Sequence, residues 1–317
     1  MKTNYYAAHT RELKAELAAI IDRAGLRSLH ERRAWRHFLV LARQLLILVA
    51  GVSGVIRFKG SLWWMPFAVV VGLTIFNFTV LLHEVVHGLV FASERRGFSR
   101  LLGLLYAIPS GISCSQFTRW HLDHHAELGS DAGDPKRHYL SPKINKPWYK
   151  VLYFTPALFP IYFRAASRET ASYPEALRKR IGLERRVTIG LQLSALGCIW
   201  YSGGWETALK VYIVPVFLVF PVAFALNRLG QHYDIGPEDP AQWSTLMKPS
   251  WFWDFAYLWS NYHLEHHYFP GVPFYNLPRL NRQLQPFFRK KGMTPRTYGQ
   301  LLYRYLILNA KPHSRWA

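Results

Sequence analysis

The chain alternates long apolar runs with blocks rich in histidine, lysine and arginine. Residues 38–56 and 62–82 are two such runs, joined by the short link 57–61. A link this short predicts a tight antiparallel pair of helices. At 1.5 Å per residue, the second run covers roughly 30 Å, the thickness of a bilayer's hydrocarbon core. Arg43 interrupts the first run, and near a helix end its head reaches the interface. Trp63 and Trp64 are placed for the headgroup level. Residues 187–202 and 209–226 are a third and fourth run, linked by 203–208, which holds Trp205. The predicted fold is an all-α integral membrane protein with four transmembrane helices.

Between the runs the pattern changes. Residues 1–37 carry many Lys and Arg and no cleavable signal. Thr10 is placed to cap a helix with Leu13, Leu17, Ile20 and Ile21 on one face, stopped near Gly25. Such a helix lies on the membrane surface or packs on the protein. Residues 101–117 are apolar but hold Pro109 and Gly111, and read as a re-entrant or buried segment. Residues 126–186 are mixed and basic, and 151–163 is too short to span and reads as interfacial. Residues 227–317 contain no obvious span and form a cap.

Composition refines this picture. The 317 residues form one domain, and half of them are apolar. A mean hydropathy of −0.02 hides their segregation into runs. The net charge is +20. Nearly all of the basic residues flank the runs on the side opposite 203–208, so the positive-inside rule puts both termini and the cap in the cytoplasm. The corresponding membrane is a bacterial inner membrane, or the endoplasmic reticulum in a eukaryote. Such a charge suits a membrane surface or an acidic protein partner better than nucleic acid. Cys114 and Cys198 form no CxxC pair, which excludes a disulfide scaffold or a thiolate metal site. Neither a Gly-rich phosphate loop nor a GxSxG elbow is present.

The histidines supply the chemistry. Fourteen occur, and eight lie in three boxes: His83 and His87; His121, His124 and His125; His263, His266 and His267. On a helix, residues three and four apart share a face, so each box offers its imidazoles to one point in space. Imidazole suits iron, zinc, copper and nickel. A zinc ion normally takes three or four protein ligands, so eight imidazoles fit two ions better than one. Glu84, Asp123 and Glu265 are natural partners for the ligands' ring N–H groups. A zinc protease reading of HEVVH, with Glu84 as base, leaves both HxxHH boxes unexplained. A metal transporter places its ionisable groups near mid-membrane, whereas these histidines cluster outside the runs.

The three boxes together resemble the membrane fatty acid desaturase superfamily. Asn261-Tyr262-His263-Leu264-Glu265-His266-His267-Tyr268-Phe269-Pro270 is particularly similar to that family's third box, and the likeness covers about residues 35–290. The resemblance implies a di-iron centre at the cytoplasmic mouth of a four-span bundle. It also implies a ninth ligand between the last span and the third box, where His232 stands, with Asn227 as a water-mediated candidate. His9, His30, His37, His138 and His313 match no box. The implied activity is dioxygen-dependent introduction of a C=C bond into a long acyl chain, with Trp120, Tyr262 and Tyr268 holding the chain kinked. No haem, flavin or iron–sulfur motif occurs in the chain, so a separate ferredoxin or b-type cytochrome would supply electrons. The alternative is a di-iron hydroxylase or ketolase acting on an alkane, sterol or carotenoid. Gln231-His232-Tyr233-Asp234 resembles an extra box of alkane monooxygenases, but the spacing from His121 to His125 fits the desaturases.

Overall fold

The apolar pair of runs forms two long helices in a computed structural model, which describes residues 3–93 and 95–311. His313 lies outside the described residues. The helices are α4 (Ala34–Arg57) and α5 (Trp64–Val86), each long and apolar enough to cross a membrane. They pack closely because small residues line the contact. A Cβ on Gly54 would lie 2.2 Å from the Phe67 ring, so only glycine lets the two backbones approach. Asn77 Nδ2 also donates to Gln44 Oε1 at 3.2 Å across this interface.

The two helices differ in what surrounds them. On α4, Leu39, Leu46 and Val49 are exposed. On α5, Val71, Phe76, Phe78, Leu81 and Leu82 are buried. Thus α4 presents an exposed apolar face and α5 is the central strut.

The third long apolar element runs over Glu175–His232. It comprises α10 (Glu175–Ala208), two π-helical turns at Leu209–Ile213 and Pro215–Val219, and α11 (Phe220–His232). On a straight helix, residues twenty apart would be about 30 Å apart. Yet the Tyr212 hydroxyl donates to Gln192 Oε1, and Ile199 packs with Val211. The element therefore doubles back, and it does so at Gly204, whose φ of 77° is open to glycine at little cost. Residues 187–202 and 209–226 lie in its two limbs.

Shorter helices position the histidines. Helix α6 (Arg96–Ala107) turns through Gly111 into α7 (Cys114–Glu127), so 101–117 is a helix–turn–helix junction. Ser113 caps α7 by accepting from the Gln116 N–H at 3.1 Å. Glu184 on α10 accepts from the Ser115 N–H at 2.8 Å and from both serine hydroxyls at 2.6 Å. Its carboxylate thus faces the positive end of α7.

The N-terminal segment is α1 (Tyr5–His9), α2 (Arg11–Ile20) and α3 (Arg23–Leu29). Here the structure corrects two expectations. The Thr10 hydroxyl donates back to the Tyr6 carbonyl at 2.6 Å and does not cap α2. Gly25 ends no helix: its N–H is taken by Asp22, which caps α3. Of the two placements open for α2, packing on the protein is the one observed. Leu13 and Leu17 are buried, and Lys291 meets Glu16 at 3.0 Å.

The remaining helices are α8 (Pro147–Val151), α9 (Leu158–Ala171), α12 (Trp251–Ala256), α13 (His263–Tyr268), α14 (Leu277–Lys290) and α15 (Tyr298–Leu302). Helix α14 buries Leu280, Leu284 and Phe287 and exposes Arg279, Arg282 and Arg289. One buried apolar cluster runs from Leu13 to Tyr305.

Candidate metal centre

Four elements bring nine histidines together. His83 sits on the last turn of α5, with His87 just past its end. His121, His124 and His125 lie on α7, His232 ends α11, and His263, His266 and His267 lie on α13. They form two groups. One holds His83, His87, His121, His125 and His266; the other holds His124, His232, His263 and His267. Within each group the candidate ligand atoms lie within 4.8 Å of one another.

This grouping corrects the expectation that each box serves one point. Neighbouring residues on a helix point about 100° apart. His124 and His125 therefore diverge to different groups, as do His266 and His267. Residues four apart, His121 with His125 and His263 with His267, stay together. The second and third boxes thus bridge both groups.

The ring geometry tests whether cations fit. In the four-histidine group, His124 Nε2 lies 3.0 Å from His232 Nε2, and His232 Nε2 lies 3.0 Å from His263 Nε2. His232 Nδ1 faces the Trp243 carbonyl at 3.3 Å, which only accepts, so the proton is on Nδ1. His124 Nδ1 faces Asp134 Oδ1 at 2.8 Å. That oxygen also accepts from the Lys136 and Arg137 N–H groups, so His124 is the donor there. Both Nε2 atoms then carry lone pairs aimed at each other. A cation between them turns this repulsion into two bonds. Two nitrogens bound at about 2.1 Å and at right angles are about 3 Å apart, which matches the observed spacing. In the five-histidine group, His87 and His121 Nε2 lie 2.8 Å apart, and His125 and His266 Nε2 lie 3.2 Å apart.

Burial favours the ligand form of each ring. Desolvation pushes His121, His124, His125, His263, His266 and His267 well below the usual histidine range; nearby rings push the same way, as does Lys136 for all but His125. Each is therefore neutral and free to bind a cation.

The predicted carboxylate partners are only partly placed. Asp123 pairs with Arg119 at 2.9 Å and has no hydrogen bond or ion pair to a histidine among the described residues. Glu265 accepts from Asn281 Nδ2 at 2.5 Å, and burial pushes its carboxyl up to about 7. Glu84 lies 3.5 Å from His83 Nδ1 and accepts from the Phe274 N–H at 3.0 Å. The partners the sequence did not flag are Asp134, the Trp243 carbonyl and Lys136, whose Nζ is 2.9 Å from His121 Nδ1. Burial and Arg228 bring the Lys136 ammonium down to about 7. The one sequence signal for Asp134 is an acid nine residues beyond the second box.

An apolar cavity opens beside the histidines. Its walls include Phe76, Phe117, Trp120, Phe159, Tyr162 and Phe224, and His83, His121, His263 and His266 face it. Its volume is about 120 Å³. One water needs about 10–15 Å³ on that scale, so a chain segment fits. Trp120 and Tyr262 line it, but Tyr268 does not; its hydroxyl donates to the Ala241 carbonyl. Asn227 Nδ2 donates to Ser260 Oγ at 2.6 Å, and both line the cavity.

Comparison with known proteins gives a consistent result. The family model described as fatty acid desaturase matches residues 61–299. A sphingolipid delta(4)-desaturase/C4-monooxygenase of Homo sapiens is 27% identical over 88% of this chain and 81% of its own length. A sphingolipid delta(4)-desaturase of Oryza sativa subsp. japonica is 24% identical over 73% of this chain. There the match spans 66% of the relative, just under two thirds. An sn-1 acyl-lipid omega-3 desaturase (ferredoxin) of Synechocystis sp. is 26% identical over 75% of this chain and 72% of its own.

Proposed function

This chain belongs to the fatty acid desaturase family, and from that premise we propose that it introduces a C=C bond into a long lipid chain, using dioxygen and electrons from an external donor. The observation that carries the reading is the pair of inward-facing histidine groups on the wall of an apolar cavity. Two iron ions would be held, one by His83, His87, His121, His125 and His266, the other by His124, His232, His263 and His267. When bound, they supply the one-electron chemistry that lets dioxygen remove hydrogen from an unactivated CH₂ group. The protein's part is positional. Phe76, Phe117, Phe159 and Phe224 exclude water and hold the hydrocarbon, while Trp120 and Tyr262 bend it past His83 and His263. Asp134 and the Trp243 carbonyl fix the proton on Nδ1 of His124 and His232, which keeps Nε2 of both rings aimed inward.

The topology belongs to the same proposal. Helices α4 and α5 and the two limbs meeting at Gly204 make four crossings within one domain, and residues 227–317 form the cytoplasmic cap. The reversal at Gly204 supports this count. The exposed Arg279, Arg282, Arg289 and Lys290 suit an acidic donor such as a ferredoxin or a b-type cytochrome. The relatives' names point to a sphingolipid or an acyl lipid as substrate.

A second reading, hydroxylation, is favoured by the human relative, which is named for both activities. The two outcomes share the first hydrogen abstraction and diverge in how the carbon radical is quenched. Positioning to about an ångström decides such a branch. The test supplies a deuterated lipid under labelled dioxygen with a reducing system. The expected product is lighter by two hydrogen isotopes and carries no label. A product bearing one labelled oxygen would make this a monooxygenase.

A further inference from the structure

A half-buried guanidinium opens onto the cavity with no carboxylate in ion-pair contact, although Asp134 is near enough for its charge to be felt. Arg228 lies on α11, one turn before His232 and on the same face. Its Nη2 donates to the Lys136 carbonyl at 3.1 Å, and this is its one hydrogen bond among the described residues. No carboxylate lies within salt-bridge distance of it there. Arg228 lines both the apolar cavity and a smaller gap that it shares with His124, Asp134, Lys136, Arg137 and His232. That gap brings Lys136, Arg137 and Arg228 together with Asp134; Arg137 pairs with Asp131 at 2.7 Å, and Asp134 is already engaged by His124 and two backbone N–H groups.

An arginine offers five donors, and burying it unpaired is costly. A pure hydrocarbon tail gives it nothing in return. A carboxylate or phosphate matches its fork. The cavity lining is correspondingly mixed: Leu158, Phe159 and Phe224 are apolar, and Arg228 and Lys136 are basic.

We propose that Arg228, assisted by Lys136, is the subsite for an oxyanion on the lipid substrate, held within one helical turn of His232. This rests on the reading above, and it adds the substrate class: a lipid with a carboxylate or phosphate a few bonds from the oxidised carbon. The oxyanion belongs to a free fatty acid or to a phosphate-bearing lipid, and the binding arms separate the two.

The test uses the iron-loaded protein in nanodiscs and measures equilibrium binding of radiolabelled octadecanoic acid, octadecyl phosphate and methyl octadecanoate. We expect the acid or the phosphate to bind at least about tenfold more tightly than the ester. Arg228→Met should erase that preference and leave ester binding unchanged, and Arg228→Lys should restore part of it. Equal binding of all three probes to the unmodified protein would overturn the proposal. So would a carboxylate preference that survives in Arg228→Met, since it would place the recognition at the histidine groups. Loss of ester binding in both variants would also overturn it, as that marks Arg228 as structural. In turnover, the modified carbon should lie within a few bonds of the head, and a mid-chain product would overturn the subsite. Arg228-dependent binding with a hydroxylated product would remove the desaturase reading and keep the subsite. Desaturation of the ester with no effect of Arg228→Met would do the reverse.

Discussion

The two histidine groups are built from different parts of the chain. The five-histidine group draws His83 and His87 from the end of α5 and is completed by α7 and α13. Three of its members, His83, His87 and His125, are half-buried, and it opens on the lipid cavity through His83, His121 and His266. The four-histidine group is held from the other side. Asp134 and Trp243 grip its Nδ1 atoms. The Tyr6 hydroxyl donates to the His267 carbonyl at 3.1 Å, and the Tyr5, Tyr6 and His9 rings surround Trp243. One group is therefore mainly a product of the helix bundle, and the other depends on loops and on the first ten residues. The lesson is that two groups of the same ligand type occupy unequal settings, and variants should separate them.

The largest effect should come from the ligands. Purified protein should hold close to two irons per chain. His87→Ala should lose the metal of the five-histidine group, and His263→Ala that of the other. Each should retain about one iron and lose turnover. Metal analysis with single-turnover assays decides this. Two irons with normal activity in either variant would remove that residue from the set.

Acid should act on both groups at once. The box histidines outside the spans are held below the usual range by burial. The unfolded chain takes up their protons near pH 6.5, whereas the folded chain does not. Below that pH the unfolded state binds more protons, so stability falls as pH falls, by up to about 1.4 kcal/mol per unit for each group. Thermal unfolding of metal-free protein at about pH 7.5 and about pH 5.5 should show the loss. Bound metal should delay it. Equal melting temperatures would mean that the rings are already protonated in the fold.

Much of this was legible in the sequence, for identifiable reasons. Apolar runs of bilayer length carry their own signal, so α4, α5 and both limbs around Gly204 stand out. The eight box histidines stand out because their spacing matches the helical repeat, and His232 stands out only through the family resemblance, which implies a ligand between the last span and the third box. The division into two groups did not, because it depends on how α7 and α13 are rotated against each other, and that is set by packing. The outer partners were hidden for a related reason. Asp123 and Glu265 are adjacent to ligands in sequence but turn away to Arg119 and Asn281. Asp134 and Trp243 arrive through loops with no periodicity. The burial of α2 against α14 was open because an amphipathic face does not say what covers it.

Those loop-borne partners give the third prediction. Asp134→Asn keeps the shape of the side chain but removes its charge, which anchors His124. Partners of this kind typically contribute 10–100-fold in metal affinity. The loss should be confined to the four-histidine group. Asp123→Asn, beside the same box but paired with Arg119, should leave metal binding unchanged. Chelator competition measures both. Equal losses in the two variants would mean that the negative charge acts at long range and that the hydrogen bond is not what matters.

The smallest effect concerns the N-terminal segment. Glu127 is buried at the end of α7, and its carboxylate accepts from the Thr3 N–H, the Thr3 hydroxyl at 2.9 Å and the Asn4 N–H at 3.0 Å. These bonds pin the segment that carries Tyr6 against His267. Tyr6→Phe removes one neutral hydrogen bond, worth about 1 kcal/mol, and keeps the ring against Trp243. If the segment closes the four-histidine group, this variant should release that group's metal to a chelator several-fold faster and leave the other metal's release unchanged. Faster release from both groups would show instead that Tyr6 stabilises the whole cap, and the contrast between the two groups would then end at Asp134 and Trp243.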